Sequence, residues 1–428
     1  MKTVTAGMMG LAIALTSGLG HAQSIFTDEN GKTAPQTLSL PYAFYNENFG
    51  VAVGWVYGIT GNPQPQSSII TTAIAGSEGS GMATIIGRDL QLNWSDRLFL
   101  DPIISIGYFS DADAYIDGNP RFAGERAGSN DSDEDNFITG DGWDNLLRLR
   151  LKYLLPIGDG EDDIIGTYRL RDGLPIHEFS GGNVYNPFAS GKSYVEVKPF
   201  YRWQQIKDDN IKEDIQTNGV DLAFFWDNRD FFQNPSEGHS VRLQLSRDFG
   251  WLDSDDSWTV VEGEIDKYVS FGKSDWFRQR VLAFNMWTSY SPTWDENDNG
   301  EIDHRPPAYA GATLGGLWRM RGYPSQRFND KAAVYYAAEA RFIPHWNPFD
   351  RWPELQKHIG VEWLQIAPFV EVGRVASEWD IGDLHEDMKW DVGVGLRAHA
   401  KGLVVRVDTA VSEEGGSVQM MVSQPFQF

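Results

Sequence analysis

In this chain of 428 residues, Arg321, Glu339 and Glu371 are the ionisable residues whose spacing suggests chemistry. Glu339 shares one phase of a two-residue repeat with Tyr335, Ala337 and Arg341, while Val334, Tyr336, Ala338, Ala340 and Phe342 occupy the other. Glu371 falls in phase with Gln365 and Gly373, against Ile366, Val370 and Val372. Carboxylates on the polar faces of neighbouring strands therefore converge on one patch. A guanidinium carried by a folded-in loop can join them through charge-assisted, partly bidentate hydrogen bonds. Gly322 lets the backbone turn sharply beside that arginine. This is the chemistry of a pin, not of bond cleavage.

Reactive constellations are lacking. No Gly-x-Ser-x-Gly elbow and no His-Glu-x-x-His pair occurs, and the eight histidines are scattered. The chain is read as a non-enzyme with no cofactor. Asp295, Asn297, Asn299, Gly300 and Asp303 have the oxygen spacing of a calcium loop, but its twelfth position is Pro306 rather than a bidentate glutamate. A solvated acidic loop is the reading, with calcium as a weak candidate and no metal expected. A formal charge of -24 disfavours nucleic acid as a partner.

The elements that would hold these residues follow from the solvent the chain is made for. Lys2 precedes an uncharged stretch with an apolar centre at Met8, Met9, Leu11, Ile13 and Leu15, and Gly20 and Ala22 sit at small-residue cleavage positions. Residues 1–22 are read as a signal peptide, 23–39 as a short periplasmic segment and 40–428 as the mature fold. No later stretch is long and apolar enough for a membrane helix, whereas a barrel strand needs only about 10 alternating residues. Such alternation recurs. Leu147, Leu149 and Leu151 oppose Arg148, Arg150 and Lys152, Val241, Leu243 and Leu245 oppose Arg242, Gln244 and Ser246, and Trp390 to Leu396 oppose Asp391 to Arg397. Near the end, Val418, Met420, Val422, Phe426 and Phe428 are assigned outward.

A soluble sandwich also alternates, but its polar face does not usually carry large charges such as Arg148, Arg150, Glu196, Lys198 and Arg202. With 16 Trp and 16 Tyr available for interfacial girdles, the fold expected is all-β, a transmembrane antiparallel barrel of about sixteen strands in a Gram-negative outer membrane. The first strand is expected near Gly50, with a further one near Ile164. That count puts the acidic segment from Asp111 to Gly142 on the periplasmic side. Between Trp346 and His358, either a short helix from Pro353 or a plain turn is compatible with the sequence.

The run Leu314 to Pro324, with Met320-Arg321-Gly322-Tyr323 at its centre, resembles the sixth-loop motif of the outer-membrane assembly and translocation superfamily, the BamA/TamA-like or bacterial surface antigen barrels. Glu339-Ala340-Arg341-Phe342 and Phe369 to Val375 are similar to the family's next two strands, with Glu371 where the family more often has Asp. Trp226 to Asp230, followed by Pro235 and Gly238, resembles the family's strand end and turn. Leu40-Pro41-Tyr42 with Gly50 to Trp55 fits its first strand, and Phe426-Gln427-Phe428 matches the C-terminal signal read by the barrel-assembly machinery. These pieces span Leu40 to Phe428.

The resemblance implies a sixth extracellular loop inserted in the lumen, Arg321 held by Glu339 and Glu371, and a seam between first and last strands where clients engage. Gly50 and Gly54 are assigned to the first strand of that seam and Pro425 to its last. It further implies contact with outer-membrane lipid and lipopolysaccharide, and a role in inserting or translocating protein, or lipid, whose identity is unknown. The family's periplasmic POTRA domains have no counterpart before the first strand, so a barrel-only member is expected. The alternative is a passive pore or structural barrel that keeps the motif for stability alone.

Overall fold

Strand formation follows the alternation strand by strand. The computed structural model describes residues 24–33, 35–46, 49–176, 182–208, 212–296, 302–421 and 425–426; the expected signal peptide lies outside them. Sixteen strands form the wall: β1 (Gln36–Asn46), β2 (Gly50–Thr60), β3 (Ser68–Gly76), β4 (Gly81–Arg88), β5 (Leu98–Ala114), β6 (Ile138–Leu154), β7 (Lys192–Lys207) and β8 (Lys212–Arg229). The second half comprises β9 (Gly238–Phe249), β10 (Ser257–Ser270), β11 (Phe277–Tyr290), β12 (Ala332–Pro344), β13 (Val361–Ala376), β14 (Lys389–Ala400), β15 (Leu403–Ser412) and β16 (Gly416–Met421). Each successive pair is antiparallel, and the sheet is arranged as a closed barrel.

The two faces separate as hydrocarbon requires. In β6, Leu147 and Leu149 are exposed while Arg150 and Lys152 are buried; in β9, Leu243 and Leu245 are exposed while Arg242 is buried. Val392, Val394 and Leu396 of β14 point out, with Asp391 and Arg397 inside. So continuous an apolar belt would be a liability in water, whereas lipid makes it the favoured surface. Successive strands exchange backbone hydrogen bonds sideways, which is what a bilayer core demands. Exposed Trp94, Trp276, Trp346 and Trp352 ring one end, and Trp143, Trp251 and Trp379 lie toward the other, as girdles at two interfaces. Between β12 and β13, Pro353–Ile359 is helical; Pro353 opens it and Gly360 closes it at φ 68°.

Two strand assignments expected from sequence need correction, each for its own reason. The wall begins at Gln36, one strand earlier than expected. β1 escapes an alternation search because its phases are inverted: Leu38 is buried inside while Thr37, Ser39, Pro41 and Ala43 are exposed. The segment near Ile164 does not join the wall. Gly166–Arg171 turns back into Leu174–Pro175, and Ser24–Thr27 adds to it in parallel. The tip of this hairpin reaches the opposite wall, where Trp363 Nε1 donates to Gly173 O at 3.2 Å and Arg278 meets Asp172 at 3.1 Å. Phe26 packs on Phe231, Phe232 and Tyr168.

The count of sixteen survives because one strand is gained and one lost, but the sidedness changes. The acidic segment from Asp111 to Gly142 comprises the ends of β5 and β6 and the connection 115–137 between them, at the same end as the long β11–β12 connection, the extracellular end. Gly50 and Gly54 lie in β2, which runs between β1 and β3, with Gly50 paired to Asn46 and Gly54 to Tyr42 and Ile74, so they are not seam residues. A Cβ on Gly54 would fall 2.4 Å from the Tyr42 ring; the glycine makes room for that tyrosine inside the wall.

Candidate functional site

The sixth extracellular connection descends into the barrel as a hairpin. Ala312–Leu314 pairs with Phe328–Asp330 to form its stem, and the segment between them carries the motif. Met320 is fully buried with φ 57°, a left-handed conformation that costs a bulky side chain of order 1–3 kcal/mol and is tolerated where surroundings impose it. That turn aims Arg321 at the inner wall formed by β12 to β16.

The guanidinium is completely buried and meets three carboxylates. Its Nε lies 3.0 Å from Glu371 on β13, Nη2 2.9 Å from Glu339 on β12, and Nη1 3.1 Å from Asp408 on β15. The Arg321 backbone N–H also donates to Glu371 at 2.6 Å. One face of the guanidinium stacks over Phe369, 3.5 Å from the ring centroid. Burial works against the charge, but Glu371, Asp408 and Glu339 outweigh it, so the guanidinium is pushed well above its ordinary range. The Arg321 carbonyl accepts from Gln419 Nε2 at 3.0 Å and from the Ser417 hydroxyl, both on β16. A single loop residue is thus bonded to four strands.

Its neighbours extend the grip. Gly322 N–H donates to Asp391 on β14 at 3.0 Å, Ser412 Oγ donates to Gly322 O at 3.0 Å, and Tyr323 Oη donates to Trp390 O at 3.1 Å. A Cβ on Gly322 would lie 2.5 Å from that of Asp391, so only glycine lets the loop sit this close. The Tyr335 hydroxyl donates to Glu371. Glu339 also binds Arg341 and Arg397, at 2.9 and 2.7 Å, and Asp408 binds Arg406 at 2.6 Å. Four guanidinium groups therefore face Glu339, Glu371, Asp391 and Asp408, a balance that buried charges need. The arrangement holds a loop; it has no nucleophile paired with a base.

A second layer fixes the loop from outside. Arg327, fully buried, pairs with Glu414 at 2.8 Å and donates to Ser132 Oγ at 2.8 Å. Arg126 pairs with Asp330, and Arg305 with Asp117 at 3.3 Å. The β5–β6 loop, whose side was misassigned from sequence, is therefore a roof over the motif.

A profile of the Omp85 superfamily domain matches residues 89–412, which is most of the chain. This chain belongs to the Omp85 superfamily. It is accordingly an integral outer-membrane β-barrel. Among solved structures it is similar to CdiB from Escherichia coli, with TM-score 0.55 and 10% identity over 96% of this chain and 68% of that one. BamA from Haemophilus ducreyi lacking POTRA domains 1-3 gives TM-score 0.48 and 12% identity over 91% of this chain and 70% of that chain. CdiB from Acinetobacter baumannii gives 0.48 and 11%, over 91% and 59%. No curated protein matches the sequence.

Within this Omp85 barrel, Met320, Arg321, Gly322 and Tyr323 are brought together with Glu339 and Glu371. Asp408, Asp391, Phe369, Ser417 and Gln419 were not singled out from sequence. Their inward phase was readable, but their height on the wall depends on register. Phe426 does not face lipid: it turns inward at φ 59° and packs among Tyr268, Trp287, Met320 and Tyr335, under Arg341. Pro425, which cannot continue a ladder, is buried just before it. Phe428 lies outside the described residues, as do Val422, Asn297 and Asn299. Asp295 and Asp303 face each other in a short two-stranded ladder.

Proposed function

We propose that this Omp85 barrel assists insertion or translocation of protein at the outer membrane, with lipid as the alternative cargo, and that clients engage between β1 and β16. One observation carries the reading: β1 shows a polar, proline-interrupted face to lipid, and the described ladder of β16 is short. β1 turns Leu38 inward and shows Thr37, Ser39, Pro41 and Ala43 outward, the reverse of a lipid-facing strand. Its Pro41 lacks an N–H, a residue tolerated at edges. Among the described residues β16 is laddered to β15 from Gly416 to Met421, and at Phe426 the chain lies in the lumen. Leu403 at the start of β15 packs under Leu38, Val56 and Ile70 rather than facing lipid.

The rival, a passive pore, is disfavoured by the loop hairpin that occupies the lumen and by the small sheet near its periplasmic mouth. Site-specific photocrosslinking in intact cells tests the proposal. Probes replacing Ser39 and Val418 should capture envelope proteins that a probe replacing Leu243 on β9 does not. Identical adducts at all three positions would sink it.

A further inference from the structure

The loop hairpin divides the lumen unequally. Its motif side is pressed on β12 to β16, while its other side leaves a cavity of about 280 Å³ against β6 to β11. Arg148, Arg150, Lys198, Arg202, Arg242 and Arg319 line this cavity, against Asp221, Glu262 and Glu264. In a chain of charge -24, a lining with twice as many cations as anions is a local reversal. Two further acids lie behind it, Asp144 on Arg202 and Glu196 on Arg150 and Arg242, and the balance still favours the cations.

A second observation points the same way. Trp258 Nε1, Trp318 Nε1, Arg319 Nε and Gln326 Nε2 are buried in this lining with no hydrogen-bond partner. All four are donors. Among the described residues of the lining, no buried side-chain acceptor is left without a partner. Arg319 has spent Nη2 on Glu264 at 2.8 Å, and its guanidinium is stacked 4.0 Å over Trp287. Buried donors left unmatched are costly, and so large a bias toward donors fits an occupant that supplies acceptors and negative charge.

We propose that this cavity binds a small oxyanion, a phosphate group, between the sixth loop and the β6–β11 wall. Trp318 and Gln326 from the loop and Trp258 from β10 donate hydrogen bonds to it, and Arg148 and Lys198 supply the field. The site is separate from the Arg321 pin and does not depend on the proposed cargo. Because Trp258, Trp287 and Trp318 line it, its occupancy is readable from tryptophan emission.

The barrel in nonionic detergent is titrated with inorganic phosphate, and with phosphatidic acid in mixed micelles, against chloride at matched ionic strength. A saturable emission change with inorganic phosphate supports a free-phosphate ligand; one with phosphatidic acid alone supports a lipid headgroup. The paired substitution Trp318→Phe with Gln326→Leu removes two donors and no charge, and should weaken binding about tenfold or more. A flat wild-type titration with both probes overturns the proposal, as does an unchanged affinity in a paired variant that keeps its heat-resistant gel band.

Discussion

Replacing Arg321 by alanine removes three charge-assisted contacts, but their loss is not evenly borne. Glu339 keeps Arg341 and Arg397, and Asp408 keeps Arg406. Glu371 is different: Arg321 is the cation it meets in an ion pair, and the Tyr335 hydroxyl and the backbone N–H of residue 321 that remain are neutral donors. A buried carboxylate stripped of its partner costs about 3–5 kcal/mol. With an unfolding entropy of about 2.1 cal/mol/K per residue, that loss over this chain corresponds to a drop of roughly 3–6 °C in the midpoint. The assay is the temperature at which the compact folded band on a cold-sample gel converts to the slower unfolded one. The mechanism makes a sharper demand on the double variant Arg321→Ala with Glu371→Gln. Neutralising the stranded carboxylate should recover at least half of the loss, a coupling that independent contributions would not give. If Arg321→Ala melts like the wild type, or the double variant melts no higher than the single one, the reasoning is wrong.

Other perturbations have separate readouts. Gly322→Ala drives a Cβ into Asp391 and should lower the same midpoint at least as much as Arg321→Ala, since the loop must lift off the wall. Phe426→Ala empties a buried aromatic site and should cost about 3–5 kcal/mol, seen as a lower conversion temperature; an unchanged value would mean that the ring is not packed in the lumen. Arg327→Ala removes the bond from the sixth loop to Ser132 of the β5–β6 loop, together with its pair to Glu414, and should make residues 115–137 cleavable by external protease in intact cells, while a pattern identical to wild type would contradict the roof.

What the amino-acid order reveals is phase. Glu339 and Glu371 were readable as inward because each sits in an unbroken two-residue alternation, and the same holds for Arg148 and Arg242. Height is not encoded that way. Asp408 and Asp391 were legible as lumenal but could not be joined to Arg321 without the register that sets them at its level. β1 stayed hidden because its apolar residues face inward and Pro41 interrupts it. Gly166–Arg171 looked like a wall strand because a hairpin with one buried face alternates just as a wall strand does. Phe426 was placed outward by continuing the phase of β16, and Pro425 marks where that continuation fails.

Single-channel conductance in a planar bilayer bears most directly on the central claim, that the sixth loop is pinned inside the barrel by Arg321. The intact protein should show small or flickering currents, and a variant lacking residues 302–330 should open a wide, steady pore. A wide and stable conductance in the intact protein, unchanged by removing the loop, would contradict the account.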